Sequence, residues 1–176
     1  MPRCFFALLF LGILGGCAKP KDLPEITVRS SSAGDLATFR SELTARFTAE
    51  QLQPLDTAFQ ELQLDAMNRN VPTAEAREQA MLTAVNGKTV HEALLLGWQA
   101  RRSRFLREIA LLTGMLEADL QLRQKTAATG TSQAVLDRIQ SEKTVITQLQ
   151  ANLAATEKRL TGWHAAPEPR QSRSAN

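Results

Sequence analysis

At 176 residues, with 43% hydrophobic and 22% charged side chains, the chain suits one globular domain behind a targeting segment and leaves little room for a second. Setting aside Arg3, the one basic residue before Cys17, leaves 20 basic against 18 acidic residues, a net charge of +2. That is too mild for nucleic-acid binding, which calls for a concentrated basic face. Of the two cysteines, Cys4 falls in the segment expected to be removed, so no disulfide staples the mature domain and packing must hold it together.

Residues 1–16 have the three parts of an export signal: Arg3 near the start, the apolar run Phe5 to Leu14, and small residues at the cleavage point. A spanning helix needs about 20 apolar residues, and this run stops at Gly15 with Lys19, Pro20 and Lys21 close behind, so it is not expected to remain as an anchor. Leu14-Gly15-Gly16-Cys17 resembles the lipobox of bacterial lipoprotein precursors, with an aliphatic residue three before the cysteine and small residues beside it. The resemblance implies cleavage between Gly16 and Cys17, a diacylglycerol thioether on Cys17 and a further acyl chain on its amine. One acyl chain binds a bilayer marginally, but each buried methylene adds about 0.8 kcal/mol, so two or three chains attach lastingly. Ala18, where inner-membrane members of that family carry Asp, favours the periplasmic face of the outer membrane by the same analogy.

Residues 17–34, with Pro20, Pro24 and Ser30-Ser31-Ser32, read as a flexible tether; Ile26-Thr27-Val28 alternates too briefly to support a strand alone. Short amphipathic helices are expected over 35–88. Leu36, Phe39, Leu43 and Phe47 share one helix face, and Thr48 with Gln51 forms a capping-box pattern opening a helix that carries Leu52, Leu55, Phe59 and Leu62. Pro54 predicts a kink or a later start. After Asn68 to Pro72 breaks the pattern, Thr73 caps a helix to about Val85, Gly87 suits a left-handed stop, and Thr89 with Glu92 opens the next helix.

Residues 89–164 predict a helical hairpin with its turn near 127–132. Trp98, Phe105, Ile109, Leu112 and Leu116 follow coiled-coil spacing on the first arm; Ile139, Ile146, Leu149, Leu153, Leu160 and Trp163 do so on the second, with polar Glu142 and Thr156 also on the seam. Pairing Trp98 with Leu160 and Phe105 with Leu153 follows from a turn at Thr129, and arms of about 35 residues would reach about 50 Å. Leu111, Met115, Ala118 and Leu122 make a second stripe away from the seam, which needs a cover: the Leu52–Leu62 helix, or a second copy of the protein. The expected fold is therefore all-α, a long antiparallel hairpin packed with shorter N-terminal helices, followed by a disordered tail over 165–176.

Little in the chain points to catalysis. Gly87-Lys88-Thr89 resembles the end of a phosphate-binding loop, but Leu82 stands where that motif requires glycine. The same tripeptide with Glu92, behind an amphipathic helix and a lipobox, is similar to a group of small bacterial lipoproteins of uncharacterised function, over about Phe39 to Leu96; it implies no catalytic residue. His91 and His164 lack a second ligand at metal-site spacing, no Gly-x-Ser-x-Gly occurs, and no cofactor is expected. Glu117 with Asp119 and Asp56 with Glu61 are carboxylate pairs whose two-to-five-residue spacing suits solvated helix faces better than acid–base catalysis. Arg101, Arg102, Arg104 and Arg107 form the densest basic cluster. It can meet anionic headgroups or lace the surface with ion pairs to residues such as Glu108 and Glu157, Arg104 and Arg107 being expected to point away from the seam. The expectation is an envelope protein with a binding or structural role, set against a hydrolase with a scattered carboxylate site or a cell-wall or anionic-lipid binder.

Overall fold

Hydroxyl caps set the helix starts. Ser32 accepts from the Asp35 amide to open α1 (Ala33–Thr44), and Thr73 accepts from the Ala76 amide to open α3 (Ala74–Val85). Full capping boxes, Thr48 with Gln51 and Thr89 with Glu92, open α2 (Ala49–Asn68) and α4 (Val90–Thr126). The fifth helix, α5, spans Gln133–His164. The computed structural model describes residues 22–164, so the expected leader over 1–16, Cys17 and the expected tail over 165–176 lie outside the described residues. No described helix is long and apolar enough to cross a membrane. The fold is all-helical, with α4 and α5 forming the long antiparallel hairpin and α2 packed along α4.

Pro54 does not delay α2, which runs from Ala49 through the proline. The lost N–H would have served the carbonyl of Glu50, an exposed residue that water can satisfy, while the Pro54 carbonyl accepts from the Trp98 indole at 3.1 Å. Packing thus outweighs the local penalty.

Part of the expected tether is built into the fold. Val28 donates to the Lys88 carbonyl at 2.7 Å, Gly87 donates to Val28 at 3.0 Å and Val90 donates to Ile26 at 2.8 Å, an antiparallel bridge of Thr27 on Thr89. Val28 and Ser30 are each 1% exposed, and the Ser30 hydroxyl donates to the Leu82 carbonyl at 3.0 Å. The three-residue alternation has a partner after all: the short link between α3 and α4, held open by Gly87 at φ 76°, offers free backbone groups beside it.

Two regions result. The head joins α1, α2, α3, the first half of α4 and the end of α5 around Val28, Phe39, Leu55, Phe59, Val85 and Val90. Here Trp98 meets Trp163 edge-on, ring centres 5.3 Å apart. Beyond the head the hairpin continues, among the described residues, as two helices, and Ile109, Leu112, Leu116, Leu149 and Leu153 are only half-buried in the seam. The contacts Trp98–Trp163, Trp98–Arg159, Arg102–Glu157 and Asp119–Arg138 all straddle residues 128–131 symmetrically, which fixes the register to that of a turn at Thr129. Gly130, at φ 91°, makes that turn possible.

Candidate functional site

The arginine cluster is consumed by ion pairs. Arg104 lies away from the α4–α5 seam and turns to Glu61 of α2 at 2.7 Å, also meeting Glu108 at 2.9 Å. Arg101 reaches the same Glu61 at 3.3 Å and lies over the Trp98 and Phe105 rings, Arg102 pairs with Glu157 at 2.8 Å, and Arg107 approaches Asp65 at 3.8 Å. The reason lies on α2. Ala58, Glu61 and Asp65 share the face applied to α4, so a carboxylate sits opposite each turn that carries an arginine. The Glu61 carboxylate raises the pKa of Arg104 further above its ordinary value, against the opposing effect of burial. Glu61 was legible only as one of a carboxylate pair; its buried role as a two-arginine clamp depends on where α2 docks.

The other carboxylates singled out by spacing are also engaged or exposed. Asp56 pairs with Arg40 at 2.6 Å at the edge of a cleft of about 300 Å³ between α1, α2 and α3, whose floor is Leu36, Phe59 and Met81. Asp119 is buried on the seam and clamped by Nε and Nη2 of Arg138 on α5, whereas Glu117 is exposed. A carboxylate held by a guanidinium stays ionised and is a poor proton donor. His91 is half-buried in the first turn of α4 and His164 is exposed at the end of α5. Among the described residues no cluster of three or more His, Cys, Asp or Glu side chains is placed to hold a metal ion.

Arg138 holds the Asp119 carboxyl below its ordinary pKa, chiefly by hydrogen bonding. Stability from this pair is present above the ordinary Asp range and is lost as pH falls through the lowered value. We therefore expect helical signal from the hairpin to fall on acidification below the usual carboxylate range. In Arg138→Ala, where the Asp119 carboxyl loses the partner that lowers its pKa, that acid-dependent loss should shrink or vanish and the hairpin should already be less stable at neutral pH, as measured by circular dichroism against pH.

What the structure leaves open is the second stripe. Leu111 is 67% exposed, Met115 46% and Leu122 40%, and Ala118 between them is exposed. The Leu52–Leu62 helix does not cover them. It docks on the same face of α4 one step earlier, with Ala58 against Gly97 and Glu61 against Arg101 and Arg104, and α2 ends at Asn68, beyond the Asp65–Arg107 contact. Gly97, Arg101, Arg104, Glu108, Leu111, Met115, Ala118, Leu122 and Lys125 alternate spacings of four and three. They form one continuous heptad stripe, filled by α2 in its first half and, among the described residues, uncovered in its second. Compared with protein-family models, curated proteins and solved structures, the chain matches none.

Proposed function

We propose that this chain is a lipid-anchored protein of the bacterial cell envelope, cut between Gly16 and Cys17 and acylated on Cys17. Its role is non-enzymatic contact through the hairpin, with the periplasmic face of the outer membrane the favoured site. The observation that carries the contact role is the bare half of the α4 stripe: a line of large apolar side chains on a projecting element is costly to leave in water and marks an interaction surface. The lipobox in the sequence carries the anchoring.

Anchoring and fold together restrict geometry. Residues 18–21 are all that separate Cys17 from the described fold, a reach of about 17 Å at full extension. Ile26 is bonded to Val90 at the start of α4, so the membrane attachment lies at the head end. The stripe begins about 30 Å further along α4. A reading in which the arginine cluster binds anionic lipid is weaker, since those guanidiniums already face carboxylates.

Cys17→Ser tests the anchor. Expressed with its leader in a bacterial host, the parent should fractionate with membranes, and the variant should lose acylation and accumulate as uncut precursor. Acyl-chain labelling and cleavage equal to the parent's would count against the reading.

A further inference from the structure

Resting on the contact face just described, we infer that its occupant is a second copy of this chain, laid antiparallel with a two-fold axis between Met115 and Ala118. The free length of α4 decides the register. It runs from Glu108, where the cover by α2 stops, to Thr126, where the helix ends, so its centre lies between Met115 and Ala118. Antiparallel pairing about that centre uses the whole free length, an overlap of about 27 Å.

The stripe is self-complementary in that register. Leu111 meets Leu122 of the second copy, and Met115 meets the small Ala118, a large side chain set against a gap at each of the two central positions. One step outward Glu108, which already meets Arg104 on its own helix, faces Lys125, opposite charges at both ends of the contact. A parallel pairing fails on each count. It sets Glu108 against Glu108 and Lys125 against Lys125, and it brings two heads together where α2 already occupies the stripe. Antiparallel docking places each head past the other's tip.

A contact of this length is small, so affinity in solution is expected to be weak. Confinement of both copies to one membrane raises their effective concentration and offsets that weakness. The two Val90 positions then lie about 80 Å apart. With only residues 18–21 before the fold, two chains anchored in one leaflet must lay the long axis of the dimer along the membrane surface.

Disulfide trapping tests the register. Full-length chains carrying Leu111→Cys and Leu122→Cys, on different tags, are co-expressed and oxidised in isolated membranes, with the unsubstituted chain as control for Cys4 and Cys17. A crosslink is expected between the two variants. Neither variant should crosslink to itself above the control, because its own copies lie about 16 Å apart along the axis. Self-crosslinking of Leu111→Cys equal to the mixed product overturns the antiparallel register. No mixed product, with a monomer on sedimentation of the detergent-extracted parent, overturns the second copy altogether. A monomer that carries acylated Cys17 removes this inference and leaves the anchored-contact reading standing. A mixed product with bare Cys17 does the reverse.

Discussion

Gly97→Ala should destabilise the head by about 2 kcal/mol or more, although alanine is the better helix former. Intrinsic propensity favours the substitution by about 1 kcal/mol. Against that, a Cβ at position 97 would sit 2.4 Å from both Cα and Cβ of Ala58 and 2.5 Å from its carbonyl oxygen. Backbone cannot swing aside as a flexible side-chain tip can, so α2 must lift from α4 as a unit. Overpacking of this kind costs about 1–3 kcal/mol and more where backbone is forced apart. Gly114→Ala on the same helix is the matched control. Nothing lies within 4 Å of its Cβ, so only the propensity gain remains and a stabilisation of roughly 0.5–1 kcal/mol is expected. Urea midpoints of the two variants at low protein concentration measure both; equal shifts of the same sign would show that α2 does not rest on Gly97.

Glu61→Ala should cost still more, about 3–5 kcal/mol. Glu61 is almost wholly buried and takes Arg104 through two hydrogen bonds, at 2.8 and 2.7 Å, and Arg101 through one. Removing it leaves the partly buried Arg104 with only the half-exposed Glu108 and strands Arg101 between aromatic rings, a pair of cations without their shared anion. Replacing Glu61, Arg101 and Arg104 together by apolar residues of similar volume should recover most of the loss, since the desolvation of all three charges is then avoided. Thermal unfolding separates the outcomes. If Glu61→Ala shifts the midpoint no more than an exposed substitution such as Glu117→Ala, the clamp contributes nothing to the α2–α4 contact.

The helical architecture was legible because local signals agreed with one another. Thr48, Thr73 and Thr89 announce their helix starts by residue type and spacing, and Gly87 and Gly130 mark positions where left-handed backbone is needed. The seam periodicity of Trp98 to Leu116 and Ile139 to Leu160 marked two long arms, and the break between them over 127–132 placed their turn near Thr129. Residues 22–30 were not legible. An extended segment has no period of its own over three residues, and its stability comes from backbone groups some 60 residues away in the α3–α4 link. Pro54 misled for a related reason: a local rule was overridden by a tertiary contact with Trp98.

The candidate site divides in the same way. The stripe of Leu111, Met115, Ala118 and Leu122 was visible as periodicity, but whether α2 reached it depended on the docking register of α2, which no local pattern encodes. The roles of Arg101 and Arg104 turned on that register too. From α4 alone they read as a basic surface; with Glu61 delivered opposite them they become internal fasteners. Cys17 rests on a different footing, since the anchoring proposed for it rests on the resemblance of Leu14-Gly15-Gly16-Cys17 to a lipobox, a linear pattern that owes nothing to the fold.

The most direct measurement is intact-mass and peptide mass spectrometry of the protein recovered from membranes of cells expressing the full chain. The expected N-terminal peptide begins at Cys17 and carries the added mass of a diacylglycerol thioether, with or without a third acyl chain on its amine. A peptide that retains residues 1–16, or one that begins at Cys17 with an unmodified thiol, would contradict the anchored envelope protein proposed here.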